Sequence, residues 1–364
     1  MTVTETQQND VEALGTRMLE SALGAVDILS IYLGDRLGWY RSLVSEGSAT
    51  PDELAARTGT QPRYAREWLE QQAVTGLLDV DASADPAGRR FSISDALAEV
   101  LTDEQSLSYL APLARMFAAA AGQMPELLRA YRGGGGVGWA AYGADARESQ
   151  ADMNRPWYDR ALPGALASVP GLHDSLRRSG CRIGDIGCGA GWSSIALARA
   201  YPDATVDGFD IDLASVEMAR INAVSAGLAD RVRFHHGDAA QLPETTYTAV
   251  FAFECIHDMP KPVSVLEAAA RSLAPDGCVI VMDEAVAESF VAPGDELERL
   301  MYGFSLLICL PDGMAHPQSA GTGTVMRSST LRQYAADAGL GSFEVLPIEE
   351  FGFWRFYRLA PSAA

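Results

Sequence analysis

From Val11 to about Val44 the apolar residues Val11, Leu14, Met18, Ala22, Val26, Leu29, Leu33 and Leu37 return at three- and four-residue steps. That is the period of an α-helix with one apolar stripe, and a break is expected near Gly34. The ten residues before it, MTVTETQQND, are polar and are expected to fray. The stretch SATPDELAARTG (48–59) holds a capping Ser or Thr, Pro51 in the first turn, Asp52 and Glu53 at the N-terminal end, and Gly59 as a stop. This is the grammar of a short helix, and residues 61–78 repeat it. LLDVD and RRFSIS flank an Asp/Ala/Pro/Gly turn and predict a β-hairpin. Helix, tight turn, helix and hairpin together predict a winged helix-turn-helix. Residues 95–132 read as helical again, with breaks at Pro112, Gly122 and Pro125, and the run Gly133–Gly136 is expected to be a linker.

Past Gly133 the period changes. CRIGDIG, ATVDGFDI, VRFHHGD, AVFAFEC and CVIVMDE are short apolar runs separated by helical segments such as SSIALARA and VEMARINAVSAG. Alternation of this kind predicts an α/β fold, a Rossmann-like, mainly parallel sheet with helices on both faces. Two late runs, FEVLPI (343–348) and FWRFYRL (353–359), stand close enough to pair as an antiparallel edge hairpin. A length of 364 residues fits two domains. They are expected over 1–132, mostly helical with the winged helix, and over 133–364, the α/β domain.

Charge narrows the partners. Lys and Arg number 28 against 48 Asp and Glu, for a formal charge of −20, which works against binding nucleic acid or anionic lipid. Residues 1–100 carry eight arginines, no lysine and sixteen acids, and the second helix of the motif offers Arg63 and Arg66 beside Glu67 and Glu70. A DNA-reading module presents a basic face, and this one does not. Five widely spaced cysteines with no C-x-x-C pair fit reduced thiols better than a disulfide framework or a zinc site. The N-terminus has neither the basic nor the apolar region of a secretory signal, and no apolar run approaches the roughly 20 residues of a membrane span. A cytoplasmic location with no membrane partner is the expectation.

Ligands of an open parallel sheet bind beyond the carboxyl ends of its strands. The first strand of the α/β region runs into DIGCGAGW (185–192), where Gly187, Gly189 and Gly191 allow a sharp turn and a close approach of backbone to ligand. A dinucleotide fingerprint would want glycine at position 192, where Trp192 stands. The Asp185 carboxylate suits a cationic ligand, such as an amino-acid ammonium, better than a pyrophosphate. The second strand ends at Asp210, 23 residues after Gly187, where an acceptor-only carboxylate can take both hydroxyls of a ribose. The third ends at Asp238, placed to accept from an adenine amino group. The fourth ends in FECIHDMP (253–260) and the fifth in VMDEA (281–285).

This set, with the LAPDG turn (273–277) before the fifth strand, resembles the class I S-adenosylmethionine-dependent methyltransferases over residues 180–360. The resemblance implies S-adenosyl-L-methionine as cofactor, its methionine end held by the glycine loop and Asp185. It implies Asp210 at the ribose, Asp238 and Ala239 at the adenine, and Ile211 and Phe253 lining the adenosine pocket. Most of the chain is similar to the O-methyltransferases with an N-terminal winged-helix dimerisation domain. Plant members carry a His-Asp pair after the fourth strand and a glutamate at the end of the fifth, and His257-Asp258 and Glu284 stand at those places. MNRPW (153–157) resembles that family's F-N-x-G-M segment, which implies Asn154 and Trp157 at the substrate, although it departs from the pattern at Pro156 and Trp157. Residues 288–326 are expected to cover it.

The implied reaction is methyl transfer to a small molecule by a homodimer, with the N-terminal domain as dimerisation element and substrate lid. A hydroxyl acceptor must lose its proton, and histidine, with an ordinary pKa of about 6.5, suits that task. His257 is therefore the expected base and Glu284 its orienting acid, with Asp283 an open alternative for the same part. Asp258 reads either as part of the site or as the cap of a helix beginning near Pro260. A metal held by His257, Asp258 and His316 is not demanded by the spacing, and none is expected. His235 and His236 alternate faces of a strand, so at least one is structural. N- or C-methylation stays open, as does a non-methylating enzyme using the cofactor structurally.

Overall fold

The computed structural model describes residues 3–81, 85, 88–243 and 246–362. The chain divides into two compact units, Met1–Ala118 and Ala119–Ala364. In the first, one helix runs Val3–Arg36 and takes in residues expected to fray. It passes through Gly34 unbroken, because glycine there serves packing: a Cβ would overlap the rings of Trp68 and Tyr40. The break comes at Gly38, in the left-handed region at φ 70°, before the helix Trp39–Glu46. Thr50 caps the helix Pro51–Thr58 in a full capping box with Glu53, and left-handed Gly59 ends it. The helix Pro62–Val74 follows, then β1 (Asp79–Val80) and β2 (Phe91–Ser92), which pair antiparallel. The turn expected between those strands lies partly outside the described residues. Trp39, Tyr40, Leu54, Trp68, Leu69 and Phe91 form the core of this unit.

The glycine run is not a linker. The unit boundary falls at Ala118, inside the helix Ala111–Gly122, and Gly133–Gly136 belongs to the second unit. Gly136 lies against backbone at Pro311, Met314 and Ala315, where a side chain would collide, and Val137 N–H donates to Pro311 O (2.9 Å). Close packing thus requires glycine at Gly136, while Gly134 and Gly135 take positive φ of 81° and 82°.

The strands of the second unit are β3 (Arg182–Ile186), β4 (Thr205–Asp210), β5 (Val232–His236), β6 (Tyr247–Phe253), β7 (Leu273–Glu284), β8 (Ser342–Val345) and β9 (Trp354–Ala360). Among the described residues these seven form one sheet in the order β5-β4-β3-β6-β7-β9-β8. β3 to β7 are parallel, and β9 runs antiparallel between β7 and the edge strand β8. The LAPDG segment read as a turn is part of β7, at a register shift opposite Tyr247–Ala249. Side-chain alternation sends Ile183, Phe251, Ile280 and Met282 into one apolar layer and Ile186, Val250, Val279 and Val281 into the other. Strands covered on both faces read as near-continuous apolar runs, which is why the sequence disclosed them.

Candidate active site

β3 lies between β4 and β6, where the strand order reverses and an open α/β sheet leaves a crevice. Beyond it Gly187, Gly189 and Gly191 take φ of 66°, 50° and 80°. A Cβ on Gly187 would fall 2.7 Å from Cys255 Cβ, and one on Gly191 would fall 2.5 Å from Phe234 Cζ. Glycine alone meets both the dihedral and the space. At Gly189 a Cβ would meet nothing within 4 Å, so the loop is open on that side. Asp210 ties the loop to the end of β4: Gly189 N–H donates to Oδ2 and Asp212 N–H to Oδ1, both at 2.8 Å. Burial raises the Asp210 carboxyl against the pull of these donors.

Gly237 N–H donates to Asp210 O (2.9 Å), which brings the ends of β4 and β5 together. Asp238 follows and caps the short turn Ala239–Gln241 through Ala240 N–H (2.9 Å). Ile211 is exposed beside them, at 63%. Asp185 is turned inward. Its Oδ2 accepts from Ser193 Oγ (2.7 Å) and Ser194 Oγ (2.5 Å), and burial pushes its carboxyl up to about 6.

His257, just past β6, is 3% exposed. Its Nδ1 lies 2.9 Å from Asp283 Oδ1 and 3.4 Å from Glu284 Oε2, and its Nε2 lies 3.2 Å from Asp258 Oδ1. The expectation that Glu284 receives the ring hydrogen bond is corrected: Asp283 does. Alternation along β7 explains this. Asp283 continues the face of Val279 and Val281, which also packs Ile256, whereas Glu284 continues the face of Ile280 and Met282.

Burial opposes a charged His257, but Asp258, Asp283 and Glu284 outweigh it and hold its pKa well above the ordinary value. Burial also opposes a charged Asp283, yet the imidazolium and the hydrogen bonds from His257 and Glu284 leave it below the usual carboxylate range. Glu284 is lifted well above its ordinary value by burial, which the attraction of His257 does not offset beside the Asp283 charge. These shifts favour positive charge on His257, negative charge on Asp283 and the neutral form of Glu284. Asp258 caps no helix, since the helix Pro262–Arg271 begins from Lys261. Donor atoms of His257, Asp283 and Glu284, and of His257, Asp258 and Cys309, lie within 4.8 Å of one another.

His316, weighed as a ligand, is exposed. His235 stacks on Phe209 (4.9 Å) and lies 3.3 Å from Asp207 Oδ1, while His236 Nε2 lies 3.0 Å from Ile211 O. Asn154 and Trp157 stand on helical backbone. The helix Gly143–Pro156 continues into a π-helical turn, Trp157–Ala161. Asn154 is buried and donates from Nδ2 to Glu254 Oε2, and Trp157 packs on Phe351 (5.5 Å) and Trp354 (5.4 Å). Phe253 departs from the expected pocket lining. At 5% exposure it packs in the core between Tyr158 and Phe251, because β6 is covered on both faces.

Two residues of the site were missed in the sequence. Glu254 is the first residue past β6, an acid directly after an apolar strand, and that placement was its signal. Asp212 caps the helix Leu213–Ser225 through Ser215 N–H (3.0 Å) and grips Arg147 (Nε to Oδ2, 2.6 Å). The Asp-x-x-Ser spacing marks the cap, whereas Arg147, 65 residues away, has no local signal.

Comparison with known proteins agrees with this geometry. Residues 177–307 match the model of a methyltransferase domain, and residues 25–103 match that of an Rv2258c-like winged HTH domain. The chain thus carries a methyltransferase domain of class I fold preceded by a winged helix-turn-helix domain. Over 149 residues it is 34% identical to the 27-O-demethylrifamycin SV methyltransferase of Amycolatopsis mediterranei, covering 40% of this chain and 54% of that one. Over 110 residues it is 36% identical to methyltransferase GfsG of Streptomyces halstedii, covering 30% and 39%. The chain spans about half or less of these curated relatives. Among solved structures, mitomycin 7-O-methyltransferase MmcR superposes with TM-score 0.71 at 21% identity, covering 97% of this chain and 100% of that one. Human N-acetylserotonin methyltransferase superposes with TM-score 0.70 at 17% identity, covering 96% and 98%. At these identities the likeness is one of fold.

Proposed function

We propose that this chain transfers the methyl group of S-adenosyl-L-methionine to an oxygen of a small molecule, with His257 as general base. The observation that carries this reading is the buried His257–Asp283 pair, 2.9 Å apart, with His257 just past β6, which borders the switch point, and Asp283 near the end of the neighbouring β7. The crevice suits the cofactor: the backbone beside Gly189 is open and Asp210 stands where a ribose would hydrogen-bond. When bound, S-adenosyl-L-methionine supplies an activated methyl on a sulfonium whose leaving group is neutral. The protein then has to align the acceptor, exclude water and take one proton.

Asp283 fixes the ring by accepting from Nδ1, so Nε2 is the nitrogen that receives the acceptor's proton. Nε2 faces Asp258, whose side chain is 33% exposed and marks the more open side. Two of the relatives carry O-methyltransferase or O-demethyl substrates in their names, which supports oxygen as the accepting atom. The N-terminal unit supports a homodimer. Leu14, Met18, Val26, Leu29 and Leu33 lie exposed along one helix, an apolar stripe that a second copy would cover. Its acidic composition favours that role over DNA binding.

Because the charges of Asp258 and Asp283 raise His257, the acid limb of kcat/KM should lie above about pH 6.5, the ordinary histidine value. Activity falls as pH drops through the raised pKa, since the imidazolium has no lone pair to accept a proton. Asp283→Asn should move that limb to lower pH by about one to three units, because it removes the neighbouring negative charge. A pH–rate series on both proteins checks this. A limb that stays in place in Asp283→Asn would remove His257 from the role of base.

A further inference from the structure

A methionyl ammonium needs an accessible anion beside the glycine loop, and Asp185 is poorly placed to be one. It is 1% exposed, and two serine hydroxyls already occupy its Oδ2. We propose that Glu254, with Asn154 beside it, is the site that takes the ammonium group of the cofactor's methionyl end. The proposal rests on the cofactor assignment above and adds the residues that recognise its positive charge.

Glu254 stands next to the loop in space as well as in the strand order. The following residue, Cys255, donates from Sγ to Ile186 O (3.2 Å) and fills the space a side chain on Gly187 would need. Glu254 is part-buried rather than sealed, so a ligand in the crevice can reach it. Its carboxylate is held from two elements: Asn154 and Gln150 of the helix Gly143–Pro156 donate to Oε2, and Trp354 Nε1 at the start of β9 donates to Oε1. Two amides and an indole orient the carboxylate without cancelling its charge. Burial pushes it up to about 7, against the pull of these donors and of the His257 charge.

Asn154 supplies the second, independent mark of a ligand. It is 5% exposed, its Nδ2 is spent on Glu254, and its Oδ1 has no partner. Buried acceptors are normally satisfied. A carboxylate and an orphaned amide oxygen on adjoining side chains form a double acceptor, which matches an alkylammonium with three N–H donors and not a sulfonium, which has none. The backbone is committed to the arrangement too. Glu254 sits at φ 48°, disfavoured for a residue with a Cβ, and its N–H donates to Met282 O (2.8 Å).

Calorimetric titration of the full chain with three ligands tests this: S-adenosylmethionine, S-adenosylhomocysteine and 5′-methylthioadenosine. The first two carry the ammonium; the third lacks it. Glu254→Gln keeps the shape and removes the charge, and should weaken both ammonium ligands about ten- to hundredfold while leaving methylthioadenosine nearly unchanged. Asn154→Ala should produce a smaller loss with the same selectivity, and serves if Glu254→Gln does not fold. Equal losses for all three ligands would reduce Glu254 to shaping the pocket, and no loss for any would dismiss it; both overturn the proposal. Loss for S-adenosylmethionine alone would place the charge contact at sulfur and overturn the ammonium assignment. Asp185→Asn reproducing the selective loss would return the role to Asp185. Wild-type protein that binds none of the three would defeat the cofactor reading itself, a failure separate from all of these.

Discussion

His257→Ala is expected to lower kcat by about 10²–10⁴ while changing cofactor affinity by less than about threefold. The size follows from the chemistry: the acceptor's proton loses its destination, while the crevice that grips the cofactor keeps its own contacts at Asp210 and the glycine loop. Removing the imidazolium also withdraws the positive charge that holds Asp283 ionised in a buried place. Asp283 should respond by taking up a proton, because an unpaired buried carboxylate is the costlier state. A modest fall in melting temperature is therefore expected, and single-turnover rates with cofactor titrations on the same preparation separate catalysis from folding. Near wild-type turnover in a folded His257→Ala protein would exclude the base assignment.

The second large effect belongs to binding. Asp210→Ala is expected to weaken S-adenosyl-L-methionine by about a hundredfold or more, since hydrogen bonds to a charged acceptor are each worth about 1.5–3 kcal/mol. The side chain also anchors Gly189 and Asp212 through two 2.8 Å hydrogen bonds, so its loss loosens the loop as well. Asp210→Asn keeps one acceptor oxygen and should fall between wild type and alanine. The turnover of cofactor-saturated Asp210→Asn should change little, unlike that of His257→Ala. Calorimetry showing equal affinity in all three proteins would refute the ribose role.

Much of this architecture was legible because local chemistry and global fold agree. The capping box at Thr50–Glu53, the stop at Gly59 and the buried apolar runs of β3, β4, β6 and β7 each state their structure within a few residues. The glycine loop and the three aspartates stood out by spacing alone. What stayed hidden was set at a distance. Gly34 reads as a breaker until Trp68 and Tyr40 fill the space beside it, and the run Gly133–Gly136 reads as a linker until the backbone at Pro311 packs on Gly136. Choosing between Asp283 and Glu284 required knowing which face of β7 meets His257. Glu254 depends on partners about a hundred residues to either side, Asn154 and Trp354, so no window of sequence contains it.

One measurement bears on methyl transfer most directly. The full chain is incubated with S-adenosyl-L-methionine carrying a labelled methyl group and a panel of phenolic, enolic and carboxylic small molecules, and the products are resolved by mass. Label appearing on an oxygen of one acceptor, with S-adenosylhomocysteine formed in equal amount, is the outcome expected. An acceptor converted while every labelled methyl remains on intact S-adenosyl-L-methionine would contradict it.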